Sequence, residues 1–221
     1  MKKNSLPVIF ICVLTLFLSC QNEIHQTKKD NLSLIFNSGV GEPISAGIAA
    51  RWIERYNKQS AASRNGQTYS VTQTHLEAMM RSTSGLVGFT FHHALDNSGE
   101  HHILIIPIDN TLRLWTSSSQ RVLLDTNIDT EIDLNTARNW IDNYTATNPN
   151  SIRYHFFGAD IFQQIVQSPG FRIEEGTSDE LIPQLLLIVQ SNAENSSNGR
   201  TNSEDAFDAS ARCPADCLDI D

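Results

Sequence analysis

The spacing of apolar residues predicts two equivalent amphipathic helices. In residues 44–56 (ISAGIAARWIERY), apolar side chains recur at the i, i+3, i+4, i+7 spacing of one buried helical face. The same pattern returns without a gap in residues 132–144 (IDLNTARNWIDNY), 88 positions further on. Ser45 and Asp133 stand where N-caps are expected, each after an isoleucine that can form a hydrophobic staple. We therefore expect a helix to begin at each of these two residues.

Two further blocks continue the self-similarity in the same order. Residues 67–81 align with 152–166, with Tyr69 over Tyr154, and residues 88–108 align with 170–190. These blocks predict a shorter helix at about 72–82 and again at about 159–167. In each copy two strand-like runs follow, and in the first copy these are 86–94 and 101–109, joined by a turn at Asp96-Asn97-Ser98-Gly99.

The expected fold is therefore α+β, formed by tandem duplication of an α-α-β-β unit. The two repeats span about 44–110 and 132–190. We expect their hairpins to pack edge to edge in one antiparallel sheet, with all helices on one face and a pseudo-two-fold axis between the copies. Trp52 and Trp140 should then occupy equivalent buried positions.

The first twenty residues have the layout of a bacterial lipoprotein signal. Lys2 and Lys3 precede an uncharged apolar run of about twelve residues, which is shorter than the roughly twenty that a membrane-spanning helix needs. Phe17-Leu18-Ser19-Cys20 resembles a lipobox, so residues 1–19 are expected to be removed and Cys20 to carry the lipid. The alternative is an ordinary secretory signal that happens to contain a cysteine.

The rest of the chain divides into a tether at 20–31, a globular domain at 32–190 and an acidic, polar tail at 191–221 that we expect to be disordered. Gln21 and Asn22 follow Cys20 where enteric inner-membrane lipoproteins have aspartate, which favours the outer membrane. Whether the domain faces the periplasm or the cell surface is left open.

The charge balance argues against nucleic acid as a partner. Loss of Lys2 and Lys3 with the signal leaves 14 of the 16 basic residues against 25 acidic ones, a formal net charge of −11. Phosphate recognition needs clustered Lys and Arg. The expected partners are the membrane, through lipidated Cys20, and an envelope protein or glycan.

The lipobox, the WI-x-x-Y helix motif, the segment His155 to Gly158 (HFFG) and the cysteine-containing tail together resemble small uncharacterised lipoproteins of Bacteroidota. The resemblance spans most of the chain. It implies a cellular location and a fold, and no known activity.

Four histidines flank the turn of the first hairpin and are the densest group of candidate metal ligands: His92, His93, His101 and His102. If Asn97 and Ser98 centre the turn, His93 faces His102 across the hairpin, and the two imidazoles could bind zinc or copper. A third ligand is missing locally, and the second copy has Glu175 and Gln184 at these places. We therefore expect no essential metal site here and no cofactor.

Motifs of hydrolases, zinc proteases and phosphate-binding loops are absent from the sequence. Cys213 and Cys217 could form a local disulfide in an oxidising compartment, with free thiols or a metal-binding pair as alternatives. The leading expectation is a non-catalytic binding or assembly module. The alternative is a metal-binding protein or metal-dependent hydrolase that uses the histidine cluster.

Overall fold

The structure is a computed structural model that describes residues 36–60, 69–112, 124–190, 205–208 and 211–213. These residues form a mixed α+β fold with four helices and two antiparallel sheets. The helices are α1 (Ala46–Ser60), α2 (Gln73–Ser82), α3 (Leu134–Thr147) and α4 (Ala159–Ile165). The strands are β1 (Glu42–Ile44), β2 (Tyr69–Thr72), β3 (Leu86–Leu95), β4 (His101–Asp109), β5 (Leu124–Asp125), β6 (Thr130–Glu131), β7 (Tyr154–Gly158), β8 (Gly170–Thr177), β9 (Pro183–Val189), β10 (Ala206–Asp208) and β11 (Ala211–Cys213).

The helix starts expected from capping residues are confirmed. The side chain of Asp133 accepts hydrogen bonds from the first-turn N–H groups of Asn135 and Thr136, which would otherwise lack partners. The hydroxyl of Ser45 accepts the N–H of Ile48 at 3.3 Å in the same way. Both long helices therefore begin because a short polar side chain satisfies their first turn.

Each half of the chain contains two strands that the sequence did not predict, one before each helix. β2 precedes α2, and β7 precedes α4, in segments expected to be only the approach to a helix. The expected unit α-α-β-β is therefore wrong. Counting β1 and β6, each half runs strand, helix, strand, helix, strand, strand.

The expected single sheet is also wrong, because the two hairpins lie in different sheets. The order in sheet A is β1-β10-β9-β8-β2, and the order in sheet B is β11-β7-β3-β4-β5-β6. The missed strands explain the difference. β2, from the first half, pairs with β8 of the second hairpin, and β7, from the second half, pairs with β3 of the first hairpin.

This exchange of strands brings two backbones very close together at Gly88. A Cβ atom added there would lie 2.2 Å from the main-chain oxygen of Phe157 on β7. Only glycine fits such a contact. The pairing of β3 with β7 therefore depends on the absence of a side chain at this position.

The main core lies where both sheets contribute side chains together with α2 and α4. Phe91 and Phe157 of sheet B pack there near Phe162 of α4 and Phe171 of sheet A. α1 packs on the opposite face of sheet A, where Trp52 contacts Leu186 and Ile188. The helices therefore do not share one face, contrary to expectation.

The two tryptophans of the repeated motif differ in burial. Trp52 is buried in the contact between α1 and sheet A. Trp140 of α3 is only half-buried and packs on an imidazole of the first hairpin. Their helices are nevertheless placed alike, because α1 packs on β8 and α3 packs on β3.

The expectation of a disordered tail at 191–221 is wrong for the parts of it that the structure describes. β10 lies between β1 and β9 in sheet A, and β11 pairs with β7 at the edge of sheet B. Phe207 is only 4% exposed and belongs to the main core. An aromatic side chain in an otherwise polar stretch thus supplies the burial that orders this strand.

Candidate functional site

The four histidines of the first hairpin lie on two faces of sheet B. His93 is paired with Ile103, whereas His102 is paired with Ala94. The expected opposition of His93 and His102 is wrong, because the paired residues Leu95 and His101 flank a loop one residue longer than assumed. A one-residue change of register moves a side chain to the other face. His93 and His101 therefore face the main core side, and His92 and His102 face the other side.

His93 and His101 belong to a group of polar side chains that joins the two sheets, which we call the inter-sheet cluster: Tyr56, Tyr69, His93, His101, Tyr144, His155 and Glu175. Nδ1 of His93 is 3.0 Å from Nε2 of His101, and Nδ1 of His101 contacts the hydroxyl of Tyr69 on β2. Nδ1 of His93 also lies 3.9 Å from Oε1 of Glu175 on β8. The hydroxyl of Tyr56 donates to that same carboxylate.

Polar contacts join Tyr56, Tyr69, His93, His101 and Glu175, as in a buried structural network, and the other two members of the inter-sheet cluster add ring contacts. The ring of Tyr144 stacks on His93 with centroids 5.2 Å apart, and His155 meets His93 edge to face at 5.8 Å. Burial, with a smaller contribution from the charge of His93, lowers the pKa of His155 well below its usual range. The cluster therefore links the sheets while keeping at least this imidazole neutral.

The second group lies at the end of the first hairpin, and we call it the hairpin-tip cluster: Asp96, Glu100, His102 and Asp125. Nδ1 of His102 lies 3.0 Å and 2.9 Å from the two carboxylate oxygens of Asp125, which is fully buried. Nε2 of His102 lies 3.7 Å from Oδ2 of Asp96. The ring of Trp140 packs against the imidazole with centroids 4.5 Å apart.

Asp96 is held in place by the turn itself. Its Oδ1 accepts the backbone N–H groups of Ser98 and Glu100, both at 2.8 Å. Burial would raise the pKa of Asp96, but the hydroxyl and N–H of Ser98 and the N–H of Glu100 outweigh it, and the pKa is lower than usual. The carboxylate therefore stays ionised, with Oδ2 directed toward His102.

The pKa of His102 is raised above its usual value. Burial lowers it, but the hydrogen bond to Asp125 and the negative charges of Asp125, Asp96 and Glu100 outweigh burial. The site thus favours positive charge at the imidazole position. Asp96, Glu100 and His102 each offer one donor atom, and these atoms lie within 4.8 Å of one another.

The tip of the second hairpin is closed in a different way. Arg51 and Arg55 of α1 form ion pairs with Asp179 at 2.7 Å and 3.0 Å. Arg55 also donates to the carbonyl oxygen of Thr177 at 3.1 Å. At the first tip, Asn139 of α3 donates to Asn97 at 2.9 Å and Asn143 donates to the carbonyl of Leu95 at 3.1 Å. Arginine side chains therefore bind the second tip, and neutral amide side chains bind the first.

Sequence reasoning found His102 but missed the groups around it. Asp96 was placed only in the turn and Glu100 was given no role, although the spacing Asp-x-x-x-Glu-x-His around one turn is itself a signal of convergence. Asp125 follows a segment outside the described residues and could not have been connected to His102 from spacing alone. Cys20 and Cys217 also lie outside the described residues, and Cys213 is in β11. The disulfide and the lipidation remain predictions.

Comparison of the chain with protein-family models, with curated proteins and with solved structures finds no match in any of the three. Among the described residues, no helix is long and apolar enough to cross a membrane.

Proposed function

We propose that this protein is an envelope lipoprotein, anchored through Cys20 to the outer membrane, whose folded domain is a binding or assembly module rather than an enzyme. The short apolar run and the FLSC segment support the anchor. The expected partner is an envelope protein or glycan.

We further propose that the domain arose by tandem duplication and has a pseudo-two-fold axis. The strand order β2-β8-β9-β10-β1 of sheet A corresponds, element by element, to β7-β3-β4-β5-β6 of sheet B, which supports this proposal. The contacts of the hairpin ends support it as well. Arg55 binds the carbonyl of Thr177 in the place where Asn143 binds that of Leu95.

One observation carries the assignment of the binding position, namely that two similarly built hairpin tips have opposite chemistry. The second tip has its carboxylate neutralised by two arginines. At the first tip, the ion partner of Asp96 among the described residues is His102. Arginine neutralises the second tip, whereas the first tip is acidic. This difference supports the first tip as the position at which a ligand binds.

Two exposed apolar side chains provide a matched test of this position. Ile128, 59% exposed, follows Asn127, whose amide donates to Glu100 at 3.1 Å, and Leu181, 66% exposed, lies in the turn of the second tip. A photo-crosslinking amino acid is placed at either position in the full-length protein in cells. We expect adducts at Ile128 that Asp96→Asn removes, and none at Leu181. Adducts at Leu181 alone, or at neither position, would contradict the assignment.

The anchor is tested separately by mass spectrometry of the mature N-terminus. We expect a diacylglycerol-modified and acylated Cys20. An unmodified cysteine, or cleavage at another bond, would show that the proposed anchor is wrong.

A further inference from the structure

We propose that the hairpin-tip cluster is a binding site for a divalent transition-metal ion, with Asp96, Glu100 and His102 as ligands and Asp125 as the residue that orients His102. The inference deepens the proposed function, because it names the ligand of the acidic tip and rests on the same position. The proposed ligands differ from the pair that the sequence suggested for zinc or copper, His93 and His102, because these two side chains lie on opposite faces of sheet B.

The donor atoms are close to the separation that one ion requires. Bonds from zinc to nitrogen and oxygen are about 2.0–2.2 Å long, so two donors of one ion are at most about 4.4 Å apart. Asp96 and His102 already satisfy this limit at 3.7 Å. The whole set lies within 4.8 Å, and Glu100 is exposed. A small rotation of the Glu100 side chain therefore completes the geometry.

The orientation of His102 is the second, independent observation. Its Nδ1 is occupied by Asp125, and its other ring nitrogen, Nε2, lies 3.7 Å from Oδ2 of Asp96, with a donor atom of Glu100 in the same group. His102 is only 5% exposed, and its Nε2 has no hydrogen-bond partner among the residues that the structure describes. A buried imidazole held by a carboxylate at one nitrogen, with the other aimed at further ligands, is the usual arrangement of a metal-binding histidine.

The second tip indicates that the hairpin does not need these side chains to form. In β9, Gln184 pairs with Gly176, just as His102 in β4 pairs with Ala94. The residues that stand in the places of Asp96 and Glu100 are Ser178 and Ile182. Ser178 caps its turn through its hydroxyl, which accepts the N–H of Ile182 at 3.3 Å, as Asp96 accepts the N–H of Glu100. The turn therefore needs a short capping side chain, but this need does not explain the carboxylate of Glu100 or the imidazole of His102.

The arrangement of charges favours a cation at this position. Three carboxylates, those of Asp96, Glu100 and Asp125, lie around the imidazole of His102. At the second tip the corresponding positive charge comes from Arg51 and Arg55. At the first tip the bound metal ion supplies it.

The donor set defines the class of ion. One imidazole and two carboxylates suit Zn²⁺ or Mn²⁺ better than Ca²⁺, which prefers six to eight oxygen ligands. Three protein ligands leave at least one coordination position for water or for a group of a partner.

The test measures Zn²⁺, Mn²⁺ and Ca²⁺ binding to the full mature lipoprotein in detergent, by calorimetry and by metal analysis after dialysis. We expect one Zn²⁺ or Mn²⁺ per chain with micromolar or tighter affinity, and weaker Ca²⁺ binding. His102→Gln introduces the side chain that the second half carries at this place, and it should abolish binding. Asp125→Asn should weaken binding about 10- to 100-fold while the protein remains folded by circular dichroism.

The control is His75→Gln, which removes an imidazole that lies 3.0 Å from Asp129 but outside the cluster. It should leave the affinity unchanged. Equal binding by wild type and His102→Gln, or no binding in the micromolar range by wild type, would overturn the metal site and leave Asp96 with a turn-capping role only.

The crosslinking experiment separates this proposal from the proposed function. Adducts at Ile128 that persist with a chelator and in His102→Gln would retain the binding module and refute the metal. Metal binding by the wild type without adducts at Ile128 would retain the metal site and contradict the binding module.

Discussion

Phe207 provides the sharpest test of the tail strand. The side chain is 4% exposed and is part of the main core, although it lies in a segment whose composition is that of a disordered tail. Phe207→Ala removes a buried aromatic ring, and such changes cost about 3–5 kcal/mol of unfolding free energy. For a domain of this size, this corresponds to a fall in the melting temperature of roughly 6–20 °C.

The measurement is equilibrium unfolding in urea, with thermal melting as a second readout. The control is Asp205→Ala in the same segment. Its side chain is exposed, and its backbone oxygen, which accepts the N–H of Val189 at 2.9 Å, is retained. We expect the control to stay within about 0.5 kcal/mol of wild type. Equal stability of Phe207→Ala and the control would refute a structural tail strand.

Three further predictions concern acid stability, close packing and the second hairpin. Burial lowers the pKa of His92 to about 3. Between about pH 6.5 and about pH 3, the unfolded chain is protonated at His92 whereas the folded protein is not. The free energy of unfolding therefore falls as the pH decreases over this range. His92→Gln should lose about 2 kcal/mol less than wild type between pH 7 and pH 5 in urea titrations, and an unchanged difference would contradict this. Gly88→Ala should prevent folding or lower the melting temperature strongly, whereas Gly47→Ala, where an added Cβ meets nothing within 4 Å, should be neutral or slightly stabilising. Arg55→Ala should cost about 1–3 kcal/mol because two carbonyls of the tip lose their donor, whereas Arg51→Ala should cost less, since its ion pair is exposed. Similar losses in both arginine variants would be evidence against the carbonyl contacts.

The sequence was informative where structure is determined locally. Caps at Ser45 and Asp133 and the apolar stripes that follow them identified both long helices. The long strands β3 and β4 were identified for the same reason, since two strand-like runs and the turn between them lie side by side in the chain.

Features that depend on distant contacts were missed. β2 and β7 are short, and each is stabilised by a strand of the other half, so no local pattern marks them. Ala206 and Phe207 are two apolar residues in a polar stretch, and only the gap between β1 and β9 explains their order.

The candidate site was predicted in part for a similar reason. His102 was identified as a possible ligand, but its partners depend on the length of one loop. Because Asp96 donates its N–H to the carbonyl of Glu100 at 3.0 Å, the loop is one residue longer than a turn centred on Asn97 and Ser98. This single residue separates His93 from His102 and brings His102 together with the acidic residues.

The position of β10 has a consequence for the order of events during synthesis. β10 lies between β1 and β9, so β1 has no neighbour in sheet A until residues 206–208 have been synthesised and are free to pair. Closing a contact between strands so distant in sequence is slow, because a long loop must be ordered first. An incomplete chain exposes the apolar side of β9, including Leu187, which β10 pairs with through Phe207. Sheet A can therefore be completed only after Phe207 has been added to the chain, and we expect a chain that stops before Phe207 to keep this apolar surface exposed.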